Sequence, residues 1–186
     1  MERAITITYL EMTSAADVVP LGARRRLDVL QAEIPCPELN RFLYGAVGSE
    51  WWWHERTGWD RDRWLAWLDR EEHETWVGYL RGTPAGYFEL ESQPGGQVQL
   101  LYFGLLPSFI GQGLGAELLA AAVERAWQVA EERVWVHTCT LDHARALPNY
   151  QARGFRIYHV EHKLERLPER RPSVWPRRTA HDSEVR

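Results

Sequence analysis

The sequence is poor in cysteine and in basic residues, and these two shortages argue against several classes of protein. Its two cysteines, Cys36 and Cys139, are far apart and form no CxxC pair. That spacing argues against a disulfide scaffold or a structural zinc site and favours a reducing, cytoplasmic location. Lysine and arginine number 22 against 26 aspartates and glutamates, a net charge of -4. A general binder of nucleic acid or of anionic membranes would need a positive field instead.

Long apolar runs are also missing. No stretch approaches about 18 uninterrupted apolar residues, so we expect no membrane span. The first ten residues, MERAITITYL, lack the apolar core and small-residue cleavage pattern of a secretory leader. A membrane is therefore not an expected partner.

The composition favours one globular domain. The chain has 186 residues, of which 45% are hydrophobic and 26% charged, and such a chain can bury a core without crosslinks. We expect a single domain over residues 1–167. Residues 168–186 are rich in proline and arginine and lack periodicity, so we expect a mobile tail. A nucleic-acid role for this tail, with its Trp175, is a weak alternative.

Two periodicities alternate along the chain. Apolar residues at every second position predict strands over residues 4–12, 74–81, 84–91, 97–106, 133–140 and 155–164. Apolar residues three and four apart predict helices over residues 39–46, after an N-cap at Asp60, over 113–131 and around Leu147. The order indicates an α/β fold with a mixed, mostly antiparallel sheet flanked by helices. One parallel crossover is expected around the helix that follows Gly113.

A glycine-rich loop, PSFIGQGLG, lies between a predicted strand and this helix at residues 107–115. Backbone N–H groups and the positive end of a helix dipole suit a phosphate there. A P-loop is excluded because Gly115 is followed by Ala116 and Glu117 instead of Lys and Ser or Thr. A dinucleotide-binding loop has a different glycine spacing and position. Close packing at a helix entry remains an alternative to phosphate binding.

The loop resembles the coenzyme-A signature [QR]xxGx[GA] of the GNAT superfamily of acetyl-CoA-dependent N-acetyltransferases. Gly113 and Gly115 match its glycines, whereas Ile110 stands where the family has Gln or Arg. A second segment, HARALPNYQARGF at residues 143–155, resembles the family's NxxAxxxYxxxGF, with His143 in place of Asn. The resemblance covers residues 4 to about 164.

This resemblance implies a GNAT-like fold, acetyl-CoA as co-substrate, and direct acetyl transfer to an amine of a small molecule or an exposed peptide. A non-catalytic acetyl-CoA sensor that docks on a partner protein is the alternative. The backbone of Leu105 is expected to hold the pantetheine arm, and Tyr150 is expected to protonate the leaving thiolate, unless it only packs. The residues expected to contact the coenzyme are Phe103, Leu105, Ile110, Gly111, Gln112, Gly113, Leu114, Gly115, Ala116, His143 and Tyr150.

The general base is less clearly indicated. The predicted strand over residues 97–106 carries no carboxylate, so Glu89 and Glu91, on one face of the preceding strand, are candidates together with His137. A solvated strand face is the alternative role of the two glutamates. His137, Cys139 and the following Asp142 and His143 do not share one face, so no metal is expected, and Asp142 is predicted to cap the next helix.

Ten tryptophans are present, seven of them between Trp51 and Trp76. Three adjacent tryptophans at residues 51–53 cannot all enter one core, so one or more should line a cleft. The resemblance places the acceptor site in this region, and an aromatic wall suits an apolar or cationic acceptor. Core filling with a homodimer surface is the alternative. The expected acceptor-site residues are Arg41, Tyr44, Trp52 and Trp53.

Overall fold

A mixed sheet lies at the centre of the computed structural model, which describes residues 1–22 and 25–174. Within these residues the strands are β1 (Glu2–Met12), β2 (Asp28–Gln31), β3 (His73–Leu80), β4 (Thr83–Gln93), β5 (Gln97–Leu105), β6 (Arg133–Cys139) and β7 (Arg156–Arg166). The α-helices are α1 (Pro37–Gly48), α2 (Arg61–Leu68), α3 (Leu114–Val129) and α4 (Ala146–Ala152). The strands form one sheet in the order β2-β3-β4-β5-β6-β1-β7.

The predicted mixed, mostly antiparallel sheet is confirmed. β5 and β6 are parallel and are connected through α3, whereas the other neighbouring strands pair antiparallel. A parallel pair needs such a crossover because its two strands start at the same end of the sheet. The expected crossover after Gly113 is therefore confirmed.

The two parallel strands separate before they end. Their pairing stops at Leu100 and Val136, although β5 continues to Leu105 and β6 to Cys139. At the same point the register of β5 against β4 shifts and leaves Leu101 as the extra residue of a bulge. A bulge bends its strand and interrupts pairing. We call the space between residues 101–105 of β5 and residues 137–139 of β6 the gap.

Two features of the sheet are not apparent from the sequence pattern. β1 lies between β6 and β7, at the opposite side of the sheet from β2. β2 itself was missed, because its four residues are exposed or half-buried and show no alternation. Strand order depends on contacts between distant segments, which local periodicity does not encode.

Helices cover both faces of the sheet, but unequally. α3 places Leu114, Leu118 and Ala122 against one face, in a core shared by residues of β1, β4, β5 and β6. On the other face, Leu43 and Val47 of α1 pack on β3 and β4, and α2 packs beside α1. The half of this second face formed by β6, β1 and β7 lies outside both apolar clusters.

The two predicted helix caps have different outcomes. Asp60 accepts a hydrogen bond from the Arg63 amide at 2.8 Å and caps α2, as predicted. Asp142 does not cap α4, which begins at Ala146. Its Oδ2 instead accepts hydrogen bonds from the Thr138 hydroxyl at 2.7 Å and the Cys139 amide at 2.9 Å. Asp142 therefore closes the turn at the end of β6.

The chain after β7 returns towards α1. Arg171 pairs with Glu50 at 3.1 Å, and its guanidinium lies 5.4 Å from the ring centroid of Trp52. A single domain over residues 1–167 with a mobile tail stays a prediction, and residues 175–186 with Trp175 lie outside the described residues. In the described part of the chain, no helix is both long and apolar enough to cross a membrane.

Gly154, between α4 and β7, should tolerate no side chain. Its φ is +107°, and a Cβ atom would lie 2.0 Å from the backbone oxygen of Asp17. Gly154→Ala should therefore lower the free energy of unfolding by about 1–3 kcal/mol or more. Gly58→Ala, where no atom lies within 4 Å of an added Cβ, is the control. Denaturant unfolding of both variants tests this, and equal stabilities would contradict it.

Candidate active site

The β5 side of the gap presents backbone amides. The Leu106 amide donates to the Ala85 carbonyl at 2.9 Å, so it points towards β4. Successive amides of a strand point to opposite sides. The amides of Leu105 and Phe103 are therefore directed towards the gap, on the side from which β6 has separated. An acyl chain with amide and carbonyl groups could pair with this strand edge.

The glycine-rich loop forms the second part of the site. Gly111 and Gly113 have φ of +84° and +80°, a left-handed conformation that glycine adopts without strain. α3 begins at Leu114, and no side chain caps its first amides. Because the first amides of a helix have no partner within it, they remain available to an anion. Gln112 is used within the loop, since its side chain donates to the Ser108 carbonyl at 2.9 Å.

α4 joins the loop to the gap. Its Asn149 side chain donates to the Gly115 carbonyl at 3.3 Å, and a Cβ at Gly115 would lie 3.7 Å from Leu105. The next residue, Tyr150, packs with its ring centroid 6.0 Å from that of Phe103. The structure thus brings together three of the predicted coenzyme-binding segments: the β5 edge, the start of α3, and α4.

Tyr150 is suited to keep its proton. The residue is buried in the main core, and burial, followed by the charge of Asp142, raises the pKa of its phenol well above the ordinary value. Within the described residues its hydroxyl takes part in no hydrogen bond. The phenol can therefore donate a hydrogen bond or a proton to a group that enters the gap.

His143 lies beside the tryptophan run. Its ring centroid is 5.2 Å from that of Trp51, and its Nδ1 accepts a hydrogen bond from the Arg145 amide at 3.0 Å. The ring contact between His143 and Trp51 connects the turn before α4 with the chain that follows α1.

Arg26 also lies at the loop, and no pattern in the sequence indicated it. Its Nη2 donates to the Gln112 carbonyl at 2.9 Å, and a Cβ at Gly113 would lie 3.4 Å from the same nitrogen. Glu117 of α3 holds the guanidinium in place through its Oε1, 2.7 Å from Nε. The Arg26–Glu117 ion pair thus ties the segment before β2 to the loop and to α3.

Glu89, a candidate base, is sealed inside the protein. Its exposed fraction is 0%, and its Oε2 lies 2.7 Å from Arg56 Nη1 and 3.1 Å from His73 Nε2. Its Oε1 accepts from the Asn40 side chain at 3.3 Å. Burial alone would raise the pKa of Glu89, but the Arg56 charge and the His73 hydrogen bond bring it below the ordinary value. The alternative role of Glu89 as part of a solvated strand face is wrong, because its side chain is fully buried.

Arg56 is the partner that the sequence did not reveal. Its side chain is 4% exposed and is surrounded by five aromatic rings, with centroids 4.3–5.9 Å from the guanidinium carbon. The rings belong to Tyr44, Trp59, Trp64, Trp67 and Tyr102. Aromatic faces attract a cation, so this box and Glu89 together hold the loop between α1 and α2.

The other two candidate bases differ in their access to the gap. Glu91 lies 2.8 Å from Arg70 and is engaged in that ion pair. His137 follows Val136, the last residue of β6 that pairs with β5, and its ring lies 5.7 Å from that of its β1 neighbour Tyr9. The surrounding protein lowers the pKa of His137 by desolvation, although the carboxylates of Asp142 and Glu55 oppose that shift.

Cys139 lies on the same strand but is a weak nucleophile. Burial, followed by the charge of Asp142, raises the pKa of its thiol to about 11, so little thiolate exists at neutral pH. Among the residues that the structure describes, no three His, Cys, Asp or Glu side chains are grouped to hold a metal ion.

The predicted acceptor-site residues do not all meet. Tyr44 is buried, with its hydroxyl 3.3 Å from the Arg56 amide, and Trp53 packs between Tyr44 and Tyr102 with centroid distances of 5.5 and 4.9 Å. Trp52 is half-buried and turns towards Arg171. Arg41 lies on the exposed face of α1, so the structure does not bring it to this wall. The helix turns Arg41 outwards while it turns Tyr44 inwards.

Comparison with known families identifies the class of protein. The model of the acetyltransferase (GNAT) family matches residues 36–155. The chain therefore belongs to the acetyltransferase (GNAT) family, and the resemblance found in the two motifs is confirmed. No curated protein is similar enough in sequence to count as a match.

Solved structures share the fold at low sequence identity. A GCN5-related N-acetyltransferase from Kribbella flavida aligns with a TM-score of 0.61 and 16% identity, over 87% of this chain and 59% of that one. An acetyltransferase from Bacillus subtilis in complex with CoA aligns with a TM-score of 0.54 and 20% identity, over 72% of this chain and 78% of that one. The ribosomal-protein-S18-alanine N-acetyltransferase from Escherichia coli aligns with a TM-score of 0.53 and 17% identity, over 70% of this chain and 77% of that one.

These likenesses confirm the predicted GNAT-like fold. This chain also spans only 62% of a conserved Staphylococcus epidermidis protein of the same fold.

The buried pair gives a test of the role of Glu89. Glu89→Gln leaves the Arg56 charge buried without its partner, so the free energy of unfolding should fall by about 3–5 kcal/mol. Because the pKa of Glu89 is lowered in the fold, its contribution is complete above the ordinary glutamate pKa of about 4.3. It is lost as the pH falls through the lower pKa of the folded state. Unfolding at pH 7 and at a series of pH values from 4 downwards measures both effects.

Glu91→Gln is the matched control, since its pair with Arg70 is partly exposed and should contribute about 1 kcal/mol or less. If Glu89→Gln kept its stability but lost turnover, Glu89 would be the base after all.

Proposed function

We propose that the protein transfers the acetyl group of acetyl-CoA directly to a primary amine, either of a small molecule or of an exposed peptide. The observation that supports this proposal is a set of three neighbouring groups: the unpaired β5 amides beside the gap, the uncapped start of α3 next to Leu105, and the Tyr150 ring packed on Phe103. A phosphorylated thioester with an amide-containing arm needs these three kinds of group. We expect the reaction in the cytoplasm, on the cysteine usage alone.

The coenzyme residues divide by chemistry. Amides of the segment from Ile110 to Ala116 suit the pyrophosphate, and Arg26, which is paired with Glu117, supports the loop through the Gln112 carbonyl. The amides of Phe103 and Leu105 suit the pantetheine arm and the thioester oxygen. A correctly aimed amide at a developing oxyanion contributes about 3 kcal/mol to catalysis.

Transfer requires one bond to form and one to break. The neutral amine nitrogen attacks the thioester carbon, the carbon–sulfur bond breaks, and the sulfur leaves as a thiolate. Tyr150 gives its proton to that sulfur, because its raised pKa keeps it protonated until then. The nitrogen loses a proton to His137, whose lowered pKa leaves the imidazole neutral at pH 7. Glu89 and Glu91 are weaker candidates since both are engaged in ion pairs.

The fold serves more than one acceptor. One structural neighbour is named a ribosomal-protein-S18-alanine N-acetyltransferase and another an aminoglycoside acetyltransferase. At 17% identity to each, these likenesses do not choose between a peptide and a small-molecule amine.

A non-catalytic acetyl-CoA sensor is the second candidate. The observation that favours it is the engagement of both β4 carboxylates in ion pairs, which leaves no free glutamate on β4 or β5. Steady release of CoA with a panel of amines would support the enzyme. Tight acetyl-CoA binding without release by any amine would support the sensor.

Gly113→Asp tests the phosphate loop. A carboxylate beside the uncapped amides should repel the pyrophosphate, so acetyl-CoA affinity should fall by tenfold or more. Gly82→Asp is the control, because Gly82 has the same φ of +80° in an open turn. Calorimetric titration with acetyl-CoA measures both variants, and an unchanged affinity of Gly113→Asp would remove the loop from the site.

Tyr150→Phe tests the proton donor. The change removes one hydroxyl and keeps the ring, so turnover should fall roughly a hundredfold or more, the usual size of a general-acid effect. Acetyl-CoA affinity should barely change, because the hydroxyl acts on charge that develops in the transition state. Turnover with the best amine of the panel and the acetyl-CoA dissociation constant are measured, with Tyr79→Phe on β3 as control. Turnover within threefold of the wild type would make Tyr150 structural.

A further inference from the structure

Glu55 is a carboxylate that neither motif includes, and it lies on the loop between α1 and α2. The Tyr102 hydroxyl donates to its Oε2 at 2.8 Å. The residue is exposed, and over residues 1–22 and 25–174 no ion pair engages it. Its negative charge is therefore available to a ligand.

Glu55 acts on both sides of the gap. Tyr102, its hydrogen-bond donor, belongs to β5 and directly precedes Phe103, one of the residues whose amides face the gap. Its negative charge also acts on His137 and Cys139, both on β6, and favours their protonated forms. One carboxylate thus lies within electrostatic reach of both separated strands, on the face covered by α1.

The loop holds this carboxylate in place. The next residue, Arg56, is enclosed by its aromatic box and by Glu89. The Thr57 amide and hydroxyl both donate to the His54 carbonyl, at 3.2 and 2.7 Å. A carboxylate flanked by such contacts is oriented before a ligand arrives, which lowers the entropic cost of binding.

The surroundings of Glu55 select a cation. The half-buried rings of Trp53 and Tyr102 lie 4.9 Å apart at this end of the site. Arg56 already packs on the Tyr102 ring, so Trp53 and the outer edge of Tyr102 are what a ligand would meet, and aromatic rings favour apolar groups and cations. The nearby Arg56 does not neutralise Glu55, because its guanidinium is paired with Glu89. A negative charge beside aromatic rings is the chemistry that recognises an ammonium group attached to an apolar body.

We propose that Glu55 binds the ammonium group of the acceptor, and that the acceptor is a cationic primary amine carried by an apolar or aromatic group. This inference rests on the proposed acetyltransferase function and adds a specificity-determining residue to it. Tyr102 orients the carboxylate, and Glu55 holds the ammonium group at the gap until it releases one proton to solvent water. The neutral nitrogen then attacks the thioester, and its second proton passes to His137.

The test compares a charged probe with an uncharged one. Binding of 2-phenylethylamine and of 2-phenylethanol to the full chain, saturated with CoA, is measured by calorimetry for the wild type, Glu55→Gln and Glu38→Gln. Glu38 is the control because it is an exposed carboxylate of α1 paired with Arg61. The wild type and the control should prefer the amine. Glu55→Gln should bind the amine tenfold or more weaker and the alcohol unchanged.

Kinetics supply a second readout. With an amine substrate, Glu55→Gln should raise KM tenfold or more and change kcat little, as expected when a uniform binding contact is lost. A wild type that prefers the alcohol, or a Glu55→Gln variant whose KM stays within twofold, overturns the assignment of Glu55. Neither result affects acetyl-CoA binding and amine-dependent CoA release by the wild type. The absence of both from the wild type would instead overturn the acetyltransferase proposal.

Discussion

The end of the parallel pairing between β5 and β6 is the constraint on which the candidate site depends. Up to Leu100 and Val136 the two strands satisfy each other's backbone groups, and beyond that point the bulge at Leu101 directs β5 away. A continuous sheet would leave no unpaired amides at Phe103 and Leu105. Because the backbone itself supplies these donors, the coenzyme side of the site tolerates many side chains, provided that the bulge and the glycines remain.

The proposed acceptor side is built differently, from side chains that meet over long sequence distances. Arg56 and Glu89 are 33 residues apart, and their pair is enclosed by rings from α1, α2 and β5. A buried ion pair contributes little net stability compared with an apolar core, since both charges must be removed from water. Its effect here is positional: it fixes the loop on which Glu55 stands. Stability and position are thus separate consequences of one interaction.

The two motifs predicted which segments come together around the glycine-rich loop better than any pattern predicted the contacts around Arg56, for a physical reason. Short motifs with local geometry contain Gly113, Gly115 and Tyr150. Their spacing is therefore enough to place the two glycines at the start of α3, after a strand, and Tyr150 on α4. Alternation placed Glu89 and Glu91 on the same face of their strand, but it does not show whether that face is covered by other elements or open to solvent. Arg56 could therefore not be foreseen as the partner of Glu89.

The same limit applies to residues whose role depends on a neighbour from another element. Arg26 precedes a four-residue strand that has no alternation, and only the fold brings it to Gly113. Arg41 and Tyr44 were both expected in the acceptor site, yet packing buries Tyr44 and leaves Arg41 exposed on the same helix. Helix and strand types could be predicted, while the order of the strands and the facing of single residues could not.

The first strand, β1, supports the β6 side of the gap. β1 pairs with β6 through Tyr9 and His137 and through Ile7 and Cys139, so the β6 side of the gap is paired on its far edge. Tyr9 is fixed in turn by its hydroxyl, which donates to Glu161 of β7 at 3.1 Å. β6 therefore stays paired with β1 without a register shift, whereas β5 bends at its bulge. The gap between the two strands results from this difference. The strand that holds His137 beside the gap, β1, lies more than a hundred residues earlier in the sequence. No motif near His137 could therefore predict that β1 would pair with β6.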